Sequence, residues 1–249
     1  SHVPLDLAPT TSGWRETSAH RASIDPGYNR YVPASGSLRE RENALLFRPL
    51  VVLGLVLERW LREEGWFEAS RVLVSSASSK SALGYAMQHR NGPPLHALTG
   101  AANRTFVERT RLYESVFIYD DPPPIAANTL ILDFTGDSAL VNRLRDRKND
   151  RIPIVRIGAT YAHSASLEGD TVFFAPKRIG QEIAVHGLEA FERDRSAAIA
   201  RFEKHSTDWF SREYVDGPDA ICHAFRDLLA NRVSPDRLLI ARPRGGGFE

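Results

Sequence analysis

The sequence predicts an α/β protein built on a Rossmann-like, doubly wound parallel sheet with helices on both faces. Three observations carry the prediction. Between residues 71 and 157 short apolar runs alternate with helical stretches, the order that yields a parallel sheet with crossover helices. The runs are continuous in apolar character, which suits strands covered on both sides. A 249-residue chain with 42% hydrophobic and 25% charged residues has the composition of a folded domain that buries its core without disulfide staples.

Residues 1–38 carry Pro4, Pro9, Gly13, Pro26, Gly27, Pro33 and Gly36 with little periodicity, and read as an irregular, turn-rich arm. Trp14, Tyr28 and Tyr31 among charged residues set this arm apart from a disordered linker. A helical pattern runs from Arg39 to Glu64 and stops at Gly65; its apolar positions surround much of the circumference, so it is expected to pack on more than one side. Five strands follow at Arg71–Val74, Leu95–Thr99, Ser115–Tyr119, Thr129–Asp133 and Ile152–Ile157, with helices expected near 79–90, 103–112 and 137–147. Beyond Gly158 the pattern loosens into a short strand at Val172–Phe174, a long amphipathic helix from Gly187 to Phe210, a helix opened by Pro218 and running to Ala230, and a last strand at Leu238–Ile240. The expected organisation is an N-terminal arm over 1–38, a nucleotide-binding domain over 39–165, a C-terminal segment over 166–243 that packs back on the N-terminal region, and a flexible tail over 244–249.

Lysine and arginine total 32 against 31 acidic residues, a net charge of +1 that argues against nucleic-acid or anionic-membrane partners. The single cysteine, Cys222, excludes an internal disulfide and a four-thiolate zinc lobe, and fits a reducing compartment. The longest apolar stretch, Leu50–Leu57, is too short to cross a bilayer, and Ser1-His2-Val3-Pro4-Leu5 does not read as a signal peptide. A cytoplasmic protein acting on a small molecule is expected. No HExxH, paired-cysteine, Gly-x-Ser-x-Gly or Walker pattern occurs, which leaves metal hydrolysis, serine-hydrolase chemistry and NTPase activity without support and no metal expected.

In open parallel sheets ligands bind beyond the carboxyl ends of the strands, where strand order reverses. The first strand-to-helix turn reads Ser75-Ser76-Ala77-Ser78-Ser79-Lys80-Ser81. Its residues are small, its hydroxyls add donors, and it opens a helix whose free amides and dipole favour anions. It contains no glycine. Lys80, one of four lysines, is placed to reach a phosphate. The other reading of this turn is a serine-rich helix cap. The second strand ends in Thr99-Gly100-Ala101-Ala102-Asn103-Arg104, with no carboxylate to bind ribose hydroxyls and with Arg104 available for a 2′-phosphate, or else simply solvated at a helix start. Later strand ends bring Asp133-Phe134-Thr135-Gly136-Asp137 and Thr160-Tyr161-Ala162-His163 to the mouth of the presumed cleft. Asp137 reads as a helix N-cap, whereas His163 is either a proton relay or a hydrogen-bonded structural group. The polar cluster from Trp14 to Arg21 with Tyr28-Asn29-Arg30-Tyr31 either lines a site or pins an ordered arm.

The blocks Trp14-Arg15-Glu16-Thr17-Ser18-Ala19-His20-Arg21-Ala22-Ser23, Arg48-Pro49-Leu50, Arg71-Val72-Leu73-Val74-Ser75-Ser76-Ala77-Ser78-Ser79-Lys80-Ser81-Ala82 and Phe173-Phe174-Ala175-Pro176 resemble a family of conserved proteins of unknown function. That family is similar to the zinc-independent quinone- and enoyl-reductase branch of the medium-chain dehydrogenase/reductase superfamily. The reductase turn Gly-Ala-Ser-Gly-Gly-Val-Gly falls on Ser76 to Ala82, where each of its glycines is replaced. The resemblance implies a GroES-like catalytic domain ahead of the nucleotide domain, of which residues 1–38 would be a remnant or link, and a homodimer formed through a sheet edge.

Together these readings give an NADPH-preferring, zinc-independent oxidoreductase acting on an enone, quinone or acyl thioester. Ser76, Ser78, Ser79 and Lys80 would hold the pyrophosphate, Arg104 the 2′-phosphate, and Thr160 with Tyr161 the nicotinamide side, with Thr99, Asn103 and Gly136 as further cofactor-binding residues. His20, Tyr28 or His163 would donate a proton. The alternatives are a degenerate module that binds another phosphate-bearing ligand such as an acyl-CoA, a partner subunit without turnover, and an enzyme of non-redox chemistry that uses Lys80 as an electrostatic clamp.

Overall fold

A computed structural model describes residues 6–11, 13–24, 26–126, 128–145, 152–157 and 170–242. Thr160, Tyr161 and His163 lie outside the described residues. The chain divides into two compact units, Ser1–Leu45 and Leu46–Glu249.

Within the first unit, strands β1 (Leu7–Thr10) and β2 (Gly13–Glu16) form an antiparallel hairpin, and β3 (Arg30–Tyr31) pairs with β2. The expectation of an irregular arm is corrected here. The strands are two to four residues long and mostly exposed, too short and too polar to show a period of two. Gly13 is required in β2: a Cβ there would lie 2.1 Å from the Tyr31 carbonyl oxygen. The buried Glu16 carboxylate accepts from the amides of Asp6 and Ser18 and from the Ser18 hydroxyl, satisfying backbone that no ladder reaches. Helix α1 (Leu38–Glu63) opens on a capping box, in which the Ser37 hydroxyl accepts from the Glu40 amide and the Glu40 carboxylate accepts from the Ser37 amide at 2.7 Å.

The second unit takes up the later part of α1 and is built on a six-stranded parallel sheet. Its strands are β4 (Arg71–Ser75), β5 (Leu95–Thr99), β6 (Ser115–Ile118), β7 (Thr129–Asp133), β8 (Ile154–Ile157) and β9 (Thr171–Phe173), in the order β6-β5-β4-β7-β8-β9. Alternate residues serve opposite faces, as strand geometry demands. Val72, Val74, Leu130, Leu132, Val155 and Ile157 share one core with Val56, Leu57 and Leu61 of α1 and with Ala82 and Tyr85 of α2 (Lys80–Gln88). Phe106 and Val107 of α3 (Arg104–Thr110) extend that side. Leu73, Leu98, Ile131 and Ile154 face the other way, onto Leu140, Val141 and Leu144 of α4 (Ser138–Arg145). The sheet is doubly wound, as the sequence predicts.

Helices α1 and α2 meet backbone to backbone. A Cβ on Gly54 would lie 2.4 Å from the Gly84 carbonyl oxygen, and one on Gly84 2.8 Å from that of Leu50. Helix α5 (Ala175–His186) is not legible in the sequence. Its apolar stripe is the short series Ala175, Ile179 and Ile183, only partly buried against the core, and its one buried residue is Glu182, whose carboxylate is satisfied by Arg59 at 2.8 Å and Arg178 at 2.7 Å. Helix α6 spans Leu188–His205, ending before the predicted Phe210, because Ser211–Asp216 forms strand β10. Helix α7 (Pro218–Leu229) and strand β11 (Arg237–Arg242) complete a parallel β10-α7-β11 unit with its own two-stranded sheet.

Candidate functional site

From β4 the chain passes through β5 to β6 on one side, then returns to β7 on the other side of β4. The carboxyl ends of β4 and β7 therefore flank the point where strand order reverses, and a crevice opens there in folds of this kind. Four segments converge on it: the turn Ser76–Ser79 into α2, the Thr99–Asn103 end of β5, the Tyr119 end of β6 and the Asp133–Asp137 end of β7.

The turn makes its geometry without glycine. Ser76 takes a left-handed conformation at φ 48°, an arrangement that is costly for a residue with a Cβ and tolerable for a small polar one. Its amide donates to the Tyr119 hydroxyl at 3.1 Å. The Ala77 amide donates to the Leu98 carbonyl at 3.2 Å and the Ser79 amide to that of Ser76 at 2.8 Å. The Ser79 hydroxyl accepts from the Ala82 amide at 3.2 Å, so Ser79 is the N-cap of α2. Helix geometry leaves the first amides of α2, at Lys80 and Ser81, without intrahelical acceptors.

Ser78 reaches sideways to the end of β5, where its hydroxyl oxygen accepts from Thr99 Oγ1 and Asn103 Nδ2, each at 3.2 Å. Three predicted residues are thereby joined in one polar cluster. Arg104 stands beside them on the surface, paired with Glu108 one helical turn on at 2.8 Å. Lys80 is turned elsewhere. Its ammonium donates to the Pro235 carbonyl at 3.3 Å and lies 5.6 Å from the centre of the Phe210 ring. Burial pushes its pKa below the ordinary lysine value, against the pull of Asp236.

At the end of β7 the fully buried Asp133 accepts through Oδ1 from the Ser75 hydroxyl at 2.9 Å, the Thr135 amide at 3.0 Å and the Thr135 hydroxyl at 2.6 Å. Its Oδ2 has no hydrogen-bond partner among the described residues. Gly136 follows at φ 75°, and Asp137 caps α4 through the amides of Ala139 and Leu140, as read from the sequence. Ser75, Asp133 and Thr135 stand in the strand-end blocks that the sequence brings to the crevice but without an assigned role, and Tyr119 is the site residue that sequence reasoning did not single out. Each sits at or just past a strand's carboxyl end, and that position is the only signal the sequence holds for them.

His20 and Tyr28 belong to the first unit, in short 3₁₀ turns at Ala19–Arg21 and Pro26–Asn29. Arg21 ties the two turns together, its guanidinium donating to Asn29 Oδ1 at 2.7 Å and to the Tyr28 carbonyl at 3.0 Å. No group of three or more metal-ligating side chains occurs among the described residues. No helix among them is long and apolar enough to cross a membrane.

A family model described as "Protein of unknown function (DUF2855)" matches residues 2–234. The chain belongs to that family. No curated protein matches the DUF2855 chain. Among solved structures it is similar to CurA of Vibrio vulnificus in complex with NADPH, with a TM-score of 0.55 and 11% identity over 87% of this chain and 69% of that one. TarJ of S. aureus in complex with NADPH is similar with a TM-score of 0.50 and 10% identity, over 84% of this chain and 66% of that one. E. coli K-12 YhdH with bound NADPH aligns at 12% identity and a TM-score of 0.49, over 76% of this chain and 61% of that one. The chain thus spans between 61% and 69% of these structures' lengths. At such identities the likeness is one of fold, and the medium-chain reductase fold is the one the sequence resemblance implies.

Proposed function

We propose that this chain binds NADPH at the β4–β7 switch point and serves as a zinc-independent reductase for an enone, quinone or acyl thioester. The observation that carries the reading is the strand order β6-β5-β4-β7-β8-β9, the 3-2-1-4-5-6 order of dinucleotide-binding sheets, with the N-terminus of α2 at its reversal. The NADPH complexes of CurA and TarJ support it at the level of fold.

The residues present suit such a cofactor. The left-handed Ser76 reproduces a turn that elsewhere takes glycine, and the α2 amides at Lys80 and Ser81 are free for phosphate oxygens. Ser76, Ser78 and Ser79 would line the pyrophosphate, joined by Lys80 once its ammonium leaves Pro235. Thr99 and Asn103 would position the adenosine ribose, and Arg104 would pair with the 2′-phosphate in exchange for Glu108. The absence of a carboxylate at the end of β5 removes the acceptor that an NAD-preferring site offers its ribose hydroxyls. Gly136, with Thr160 and Tyr161, would face the nicotinamide, which when bound supplies a hydride. His20, Tyr28 and His163 are the proposed sources of the accompanying proton, a role that contributes about 10²- to 10⁴-fold.

Residues 1–38 read on this account as the remnant of, or link to, a catalytic domain, 39–165 as the nucleotide-binding domain, and 166–243 as a C-terminal segment. A cytoplasmic homodimer, joined through a sheet edge, completes the proposal. The decisive assay is consumption of NADPH in the presence of enones, quinones and acyl thioesters. Turnover that falls at least 100-fold in one of His20→Ala, Tyr28→Phe or His163→Ala supports the reading and names the donor, whereas no turnover with any substrate class overturns the catalytic part of it.

One observation favours a second reading. The amides of Ser76, Ala77 and Ser79 are all engaged within the chain, which suits a degenerate module for another phosphate-bearing ligand, such as an acyl-CoA, or a non-catalytic partner subunit.

A further inference from the structure

We infer that the Tyr119 hydroxyl is a built-in occupant of the phosphate-binding turn, and that an incoming dinucleotide must displace it from the Ser76 amide before the pyrophosphate can seat. The inference rests on the proposed dinucleotide site and concerns how that site is held when empty of ligand.

Tyr119 is the first residue beyond β6, and β6 lies two strands away from β4. Its amide donates to the Thr99 carbonyl at 3.0 Å, which continues the β5–β6 pairing by one residue. From there the side chain crosses the carboxyl end of β5 and brings its oxygen to 3.1 Å from the Ser76 nitrogen. The tyrosine thus lies across the crevice edge, over the strand ends where a dinucleotide would run. Its ring is partly buried against the cluster that Leu73, Leu98 and Ile131 form with α4.

The three engaged amides of the turn differ in what holds them. Ala77 and Ser79 donate to the main-chain carbonyls of Leu98 and Ser76, which cannot move without distorting β5 or the turn itself. Ser76 donates to a side chain, which leaves by rotation about χ1. The Ser76 amide is therefore the donor a phosphate can recover. Exchange also favours a phosphate, since a charged acceptor makes a stronger hydrogen bond than a phenol. Burial, the foremost influence, raises the Tyr119 pKa above the ordinary tyrosine value, so the competing oxygen is a neutral hydroxyl at physiological pH and not a phenolate.

A glycine-rich turn keeps its amides open and needs no such occupant. This turn has none of those glycines, and a tyrosine hydroxyl satisfies the amide that would otherwise point unpaired into the crevice. The consequence is a site stabilised in its ligand-free form at the expense of affinity, with Tyr119 setting the balance.

The test is Tyr119→Phe, which removes the hydroxyl and keeps the ring. Calorimetric titration of the full chain with NADPH, and separately with inorganic pyrophosphate, is expected to show a Kd roughly 3- to 10-fold lower than that of the wild type for both probes, the worth of one neutral hydrogen bond no longer displaced. Tyr119→Leu, which also lacks the hydroxyl, should shift pyrophosphate binding in the same direction. Wild-type binding of NADPH with equal or weaker binding by Tyr119→Phe overturns the inference and leaves the NADPH reading standing. Tighter pyrophosphate binding by the variant with no binding of NADPH by either protein supports the displaced hydroxyl and overturns the NADPH reading. Absence of binding to either probe by either protein overturns both.

Discussion

Replacing Gly54 by alanine tests the packing that aims α2 at the crevice. A Cβ at this position would lie 2.4 Å from the Gly84 carbonyl oxygen, 2.5 Å from the Gly84 carbonyl carbon and 2.6 Å from the Tyr85 nitrogen. All three are backbone atoms, so no rotamer relieves the clash, and comfortable contact at about 3.5 Å requires the helices to part by roughly 1 Å. Overpacking of this kind costs about 1–3 kcal/mol, offset by about 1 kcal/mol of improved helix propensity. The upper part of that range applies because the obstacle is backbone, giving a net loss of about 2 kcal/mol and a fall in Tm of about 4–8 °C for a chain of this size. Gly180 in α5 is the internal control, since a Cβ there meets nothing within 4 Å. Gly180→Ala should raise stability by up to about 1 kcal/mol through propensity alone. Thermal unfolding followed by circular dichroism, with urea titration for the free energies, separates the two. Equal shifts in the same direction for Gly54→Ala and Gly180→Ala would refute the close approach of α1 and α2.

Three further outcomes are expected. Asp170→Ala removes the buried carboxylate that pairs with both Arg145 and, at 2.7 Å, Arg156, whose side chain is 1% exposed; breaking this buried cluster should cost about 3–5 kcal/mol in urea unfolding, and a loss below about 1 kcal/mol would contradict the cluster's burial. His96, on β5, has a buried Nδ1 without a partner among the described residues, and burial, with Arg71 adding and Glu114 opposing, lowers its pKa below 6.5. Its folded form therefore binds protons less readily than the unfolded chain, so stability is held above pH 6.5 and lost as the pH falls through the depressed value. Unfolding free energies of His96→Gln should decline less than wild type between about pH 7.5 and pH 5, and an identical decline would remove His96 from the account. Arg104→Ala should weaken NADPH binding by about tenfold through loss of one charge-assisted pair while leaving NADH unchanged, and equal effects on both cofactors would displace Arg104 from the 2′-phosphate.

The parallel sheet is legible because its strands are compact apolar runs with helical stretches between them, and the burial of both faces removes the ambiguity of an alternating pattern. What stays hidden has identifiable physical causes. Strands β1 to β3 are held by pairing between mostly exposed residues, so no hydrophobic signal marks them. Helix α5 has a thin apolar stripe, Ala175, Ile179 and Ile183, that is only partly buried, and its one buried residue is the charged Glu182, paired with arginines of α1 and of α5 itself. Strand β10 reads Ser211-Arg212-Glu213-Tyr214-Val215-Asp216, with one buried residue, Val215. At the site, the small residues at Ser76–Ser79 and the Thr99–Asn103 end of β5 are readable from their place after strands, and their joining through Ser78 follows from adjacent pairing of β4 and β5. The reach of Tyr119 to Ser76 is not readable, because it depends on β6 lying beside β5 on the same side of β4, and strand order is a property of the sheet alone.

The most direct measurement is calorimetric titration of the purified chain with NADPH and, separately, with NADH. A dinucleotide site at the β4–β7 switch, flanked by Arg104 and free of a ribose-binding carboxylate, predicts saturable NADPH binding at about micromolar Kd and NADH binding weaker by at least tenfold. No saturable heat with either nucleotide, at protein concentrations where the fold is intact by circular dichroism, would contradict it and turn the serine-lined turn over to another phosphate-bearing ligand.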